Sequence, residues 1–217
     1  MIIDIAQYKT VVFDCDGVIL NSNQVKTQAF YNAALPYGTQ SAQALVDYHV
    51  AHGGVSRYQK FRYFLEELVL PGVSGPGFQD LLDAYAAEVR KGLLSCEVAS
   101  GLHDLRRLTA DAHWLVISGG DQSELREIFA LRELTELFDG GVFGSPDTKD
   151  HIFTREIQCG NIAAPAVFVG DSRCDFEAAS KAGVDFVFVS AWSEWQGYEE
   201  QLDMFCGRVE HVGQLGQ

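Results

Sequence analysis

Thr10-Val11-Val12-Phe13-Asp14-Cys15-Asp16-Gly17-Val18-Ile19-Leu20 decides how the rest of the chain is read. Four residues rich in β-branched and aromatic side chains predict a buried strand. Asp14 and Asp16 follow at its carboxyl end, and Gly17 releases the chain into a turn. Side chains two apart on a strand point the same way. If the extended geometry continues through Asp16, the two carboxylates face one common space. Like charges held that close repel, so one pKa should rise unless a cation neutralises them. Either outcome suits chemistry: a metal site, or an ionised nucleophile beside a protonated acid. The plain alternative is a strand that ends in solvated, turn-forming aspartates.

Working outward, the segment that follows is purely helical for about seventy residues. A helix capped by Ser22 or Asn21 runs to about Leu35, with Val25, Ala29, Phe30 and Ala33 on its buried side. Another covers about Ser41 to His49. After the loop Ala51-His52-Gly53-Gly54-Val55, Ser56 is a plausible N-cap for a helix carrying Phe61 and Phe64. A fourth amphipathic helix carries Leu81, Leu82, Tyr85 and Val89. From Gly101 the pattern alternates. Strands are expected at His113–Ser118, Gly141–Phe143, Ala166–Gly170 and Asp185–Val189, with helices between them. Asp121 to Glu124 has the pattern of a capping box. Continuous Val and Phe runs alternating with helices predict an α/β fold, a parallel sheet with helices on both faces. The division expected is a core of residues 1–19 and 93–217 with a small all-helical domain, 20–92, inserted between them. The tail beyond Ala191 carries little signal.

The 217 residues include 16 Lys and Arg against 30 Asp and Glu, a net charge of −14. Such a balance argues against nucleic acid or an anionic membrane as partner. It also means that a phosphorylated substrate needs local positive charge or a divalent cation. Five cysteines without metal-ligand spacing read as reduced thiols, so a cytoplasmic setting is expected. No signal peptide or apolar run of transmembrane length is expected.

Four strand ends carry chemistry-bearing residues: Asp14 and Asp16; Ser118-Gly119-Gly120; Lys149 after the third strand; and Gly170-Asp171-Ser172-Arg173-Cys174-Asp175. Ligands of open α/β sheets bind beyond the carboxyl ends of the strands, so these groups should converge. Asp14 can attack phosphorus as a nucleophile, and Asp16 can protonate the leaving oxygen and later activate water. A divalent cation at Asp14 and Asp171 would offset the repulsion of a phosphate, and oxygen ligands suggest Mg²⁺. Ser118 and the Gly119 amide, expected at a helix N-terminus, can hold phosphoryl oxygens. Lys149, the only lysine between Lys91 and Lys181, supplies compensating charge. Asp175 is either a capping partner of Ser172 or a metal ligand.

Phe13 to Ile19, Ser118, Lys149 and Val169 to Asp175 together resemble the four motifs of the haloacid dehalogenase superfamily. The resemblance extends over nearly the whole chain, to about Ser190. It implies a Rossmann-like core, a helical cap inserted after the first motif, Mg²⁺ and an aspartyl-phosphate intermediate. On that resemblance Asp14 is nucleophile and metal ligand, and Asp16 is acid/base and offers its backbone carbonyl to the metal. Asp171 is a direct ligand, and Asp175 acts directly or through water. Two positions depart from the pattern: Lys149 is followed by Asp150 rather than Pro, and Asn21 stands where relatives often have an acid. Dehalogenases and phosphonoacetaldehyde hydrolases of the family lack the second Asp. Asp16 therefore favours a small phosphate ester, with hydrolysis ahead of phosphomutase chemistry. A non-catalytic binding module is the rival from another class. In the cap, His52 and Arg57 are the substrate-contact candidates, suited to a sugar or sugar-acid phosphate. Oligomeric state is not legible.

Overall fold

The computed structural model describes residues 3–216. Its centre is a six-stranded sheet in the order β3-β2-β1-β4-β5-β6, with all five pairings parallel. The strands are β1 (Thr10–Phe13), β2 (His113–Asp121), β3 (Gly141–Ser145), β4 (Ala166–Gly170), β5 (Asp185–Val189) and β6 (Gly207–Val209). The chain builds β1 to β3 in one direction, then crosses back to lay β4 on the other side of β1. The carboxyl ends of β1 and β4 therefore flank a topological switch point, the usual crevice of such sheets.

Alternation along β1 explains the two-faced burial. Val11 and Phe13 join one apolar cluster and Val12 the other. Helices α5 (Leu102–Leu108) and α6 (Gln122–Leu131) pack on the first face through Leu105, Leu125 and Phe129. Helices α7 (Lys149–Gln158) and α8 (Arg173–Ala182) cover the second through Ile152, Phe153 and Ala178.

Between β1 and α5 the chain forms α1 (Asn23–Ala34), α2 (Thr39–Ala51), α3 (Arg57–Tyr63) and α4 (Phe78–Ser95). A π-helical segment, Phe64–Leu68, extends α3. Phe30, Phe61, Phe64 and Tyr85 pack together there, and their cluster is continuous with the first face of the sheet. The two chain crossings between sheet and helical block run side by side: Asn21 N–H donates to Glu97 O at 2.9 Å and Ala99 N–H to Ile19 O at 2.8 Å. Helix α4 continues to Ser95, past residue 92.

Three local readings are corrected. Ser22 occupies the N-cap of α1 but makes no side-chain cap bond; its hydroxyl donates to Asp16 Oδ1 instead, at 2.6 Å. Strand β2 does not end at Ser118 but runs to Asp121, with a register shift against β3 between Ile117 and Asp121. Asp121 caps the following helix, as its spacing to Glu124 predicts, accepting from Glu124 N–H at 3.0 Å. Ser118 and Gly119 thus lie on a strand, three and two residues before the N-cap, and not at the helix N-terminus expected for them. Finally, β6 adds an edge strand in the tail that carried no sequence signal.

Candidate active site

Asp14 follows β1 directly and its N–H donates to Val169 O of β4 at 2.9 Å, which seats it in the crevice between the two strands. Its Oδ1 accepts from the Cys15 amide at 2.7 Å. Asp171 follows β4, and Asp175 sits on the first turn of α8. One carboxylate oxygen from each of Asp14, Asp171 and Asp175 lies within 4.8 Å of the others, and all three residues are buried. Two glycines let the loops close this tightly. Gly17 has φ +72°, and a Cβ there would lie 2.0 Å from Asp171 Oδ2. A Cβ on Gly170 would lie 2.5 Å from that of Asp175.

Three carboxylates at such spacing repel. Burial, then the neighbouring Asp175, push Asp14 up to about 7 although Lys149 pulls the other way. Burial and the charges of Asp175 and Asp14 hold Asp171 well above the usual carboxylate range. Lys149, the first residue of α7, answers part of the repulsion. Its Nζ is 3.0 Å from Asp14 Oδ2 and forms a closer pair with Asp175. Burial alone would lower its pKa, but the two carboxylates outweigh that and raise it. Asp175 forms the capping box with Ser172, and its carboxylate also belongs to the acidic cluster.

Asp16 reaches a different cation. Its Oδ2 pairs with Lys26 of α1, and Ser22 holds the other oxygen. Burial raises its pKa, but the Lys26 charge and these hydrogen bonds outweigh that, so it is held below the ordinary carboxylate value. The two aspartates of the first motif are thereby split, one raised and one lowered, though both line one cavity of about 530 Å³. Asn23 adds a donor at 2.7 Å to Asp171 Oδ2.

Gly119 lines the same cavity. Ser118 is fully buried behind it and accepts from the Gly120 amide at 3.0 Å. The glycine-rich loop after α2 presses onto this floor: a Cβ on Gly119 would lie 2.1 Å from Gly54 O. Arg57 lines the cavity but spends its fork on Glu124 of α6, at 2.7 and 2.9 Å, and lies 4.6 Å over the Tyr85 ring. Its guanidinium therefore ties the helical block to the sheet layer. His52 is not brought to the cavity. It is exposed, stacked on Tyr48, with Nδ1 against Tyr48 O at 2.8 Å, so the helix end has captured it.

Cavity residues that sequence reasoning missed are Lys26, His49, Lys60 and Asn23. A signal existed for three of them. Lys26, His49 and Lys60 occupy helix positions in phase with the apolar stripes of α1, α2 and α3.

The cluster offers buried hard oxygen donors and a fixed lysine, with a separate carboxylate, Asp16, lining the same cavity as Asp14. The donor set fits a small divalent cation. Comparison with known proteins finds the same fold. Among solved structures, a phosphate complex of CbbY from Rhodobacter sphaeroides has 14% identity, 97% coverage of both chains and a TM-score of 0.72. A protein assigned as a phosphoglycolate phosphatase from Lactobacillus plantarum has 20% identity, coverage of 94% of this chain and 95% of that one, and a TM-score of 0.70. A haloacid dehalogenase-like family protein from Streptococcus pneumoniae has 17% identity, 93% coverage of each and a TM-score of 0.67. At such identities these likenesses speak for the fold. No curated protein matches the sequence. The family model described as haloacid dehalogenase-like hydrolase matches residues 11–189, and the chain belongs to that family of hydrolytic enzymes.

Proposed function

We propose that this hydrolase is a Mg²⁺-dependent phosphatase that cleaves a small phosphorylated metabolite through an aspartyl-phosphate on Asp14. The observation that carries this reading is the buried triangle of Asp14, Asp171 and Asp175 with Lys149 against it and Asp16 held apart on the wall of the same cavity. Asp14, Asp171 and Asp175 would hold the cation, which supplies charge compensation when bound. An oxygen of Asp14 attacks phosphorus, the bond from phosphorus to the leaving oxygen breaks, and that oxygen takes a proton from Asp16. Asp16 then removes a proton from the water that releases phosphate. The Lys26 pairing holds Asp16 ionised, as the second step requires; for the first step that contact must open and Asp16 must carry a proton. Lys149 neutralises charge at the phosphoryl group. Residues 20–92 act as the cap over the core of residues 1–19 and 93–217. Free thiols at all five cysteines support a reducing, cytoplasmic setting.

Phosphate release from a library of phosphorylated metabolites with Mg²⁺ present tests the reading. Turnover that EDTA stops and Mg²⁺ restores is expected. A sugar phosphate converted to its isomer without free phosphate would instead make the protein a phosphomutase.

A further inference from the structure

The helical wall of the cavity holds a cation whose function so far is unassigned. Lys60 is 1% exposed and lines the cavity, yet no carboxylate pairs with it among the described residues. Its neighbours are the face of Phe30, 5.5 Å from Nζ, and the imidazole of His49, whose Nδ1 is 2.6 Å away. In its charged form Lys60 can only donate in that contact, so His49 then accepts through Nδ1 and carries its own proton on Nε2; Nζ also reaches His49 O at 3.5 Å. That Nε2 is buried and finds no hydrogen-bond partner. Glu194, a further cavity residue, is bonded to Thr27 at 3.2 Å instead. Lys26 and Arg57, the other cations of this wall, are already matched by Asp16 and Glu124. Burial, then the charge of Lys26, depress the Lys60 pKa to about 7. An unmatched lysine and an orphan imidazole N–H, side by side in one cavity wall, are costly unless something anionic enters.

We propose that Lys60 and His49 form a second anion subsite, so that the substrate is a phosphate ester whose leaving group carries its own acidic function, a carboxylate or a second phosphate. The inference rests on the phosphatase reading for the identity of the first subsite. The acidic cluster receives the scissile phosphoryl group with its cation, and the leaving group extends across the cavity to the two donors. Neutral polyol phosphates leave both donors unanswered. Lys60 and His49 thereby set specificity without touching the reacting atoms.

Three matched pairs test this: 3-phosphoglycerate with glycerol 3-phosphate, 6-phosphogluconate with sorbitol 6-phosphate, and fructose 1,6-bisphosphate with fructose 6-phosphate. The acidic member of at least one pair should be favoured in kcat/KM by at least about tenfold, the value of one charge-assisted hydrogen bond. The pair that shows it tells carboxylate from phosphate. Lys60→Met should erase that preference mainly through KM. Calorimetric binding of the same pairs to Asp14→Asn with MgCl2 reads the subsite without turnover and without altering Lys60. Equal treatment of every pair, or a preference that survives Lys60→Met, overturns the subsite while leaving the phosphatase reading intact. A binding preference without turnover of any ester by the wild type upholds the subsite and overturns the phosphatase reading.

Discussion

Among the buried lysines, Lys149, 4% exposed, stands against the acidic cluster, and Lys60, 1% exposed, lines the cavity from the helical block. The core surrounds Lys149 with Asp14 and Asp175, and its pKa rises. The helical block surrounds Lys60 with an imidazole and an aromatic face, and its pKa falls to about 7. Desolvation disfavours the charge in both places. The difference is whether the protein supplies the counter-charge itself or leaves it to be brought. A self-neutralised cation belongs to machinery common to any substrate of this chemistry. An unanswered one belongs to recognition.

Changes on the core side should have the largest effects. Asp14→Asn removes one of the two anions facing Lys149 and, with it, the nucleophile; phosphate release from an aryl phosphate should vanish while circular dichroism stays that of the wild type. Asp16→Ala leaves the triangle intact but removes the proton carrier, and should cost about 10²–10⁴ in kcat. Lys149→Met leaves three buried carboxylates with no lysine among them. Breaking a buried pair in this way costs about 3–5 kcal/mol, to be read as a fall in urea midpoint that added Mg²⁺ partly reverses.

The helical-block side should respond in the opposite sense. In the unfolded chain Lys60 titrates near 10.5, in the folded one near 7. Between those values the unfolded chain binds a proton that the folded chain does not, so this residue makes stability rise with pH across the window. Below about pH 7 both states are charged and the deficit is complete. Lys60→Met should therefore be more stable than the wild type at pH 7, and the gap should close toward pH 10.5. Midpoints of urea unfolding across that range measure it, and a variant less stable at pH 7 would break the contrast between the two lysines.

The same contrast explains what the sequence disclosed. Asp14, Asp171 and Lys149 stand at the ends of apolar strands or at a helix start, where chain geometry aims them at one crevice. Their places follow from strand periodicity and sheet topology, without knowledge of any side-chain contact. Lys26, His49 and Lys60 sit inside apolar stripes and contradict the pattern that identifies their helices. A pattern reading keeps Ala29, Phe30 and Ala33 and passes over Lys26, three residues earlier on the same face. His52 drew notice through its glycine neighbours, but a carbonyl one turn back, Tyr48 O, claims it. Arg57 was legible as a cavity residue; its partner Glu124 lies 67 positions away, and only the packed structure brings them together. Strand β6 was hidden because three residues with a charged centre, Arg208, carry no run, and an edge place in the sheet demands none.

The central claim is that Asp14 becomes covalently phosphorylated. Acid-quenching the enzyme during turnover with Mg²⁺ and reducing it with borohydride converts an acyl phosphate to an alcohol, so peptide mass spectrometry should find homoserine at position 14. Turnover of a phosphate ester with position 14 recovered only as aspartate, or the reduced residue found elsewhere, would contradict the account.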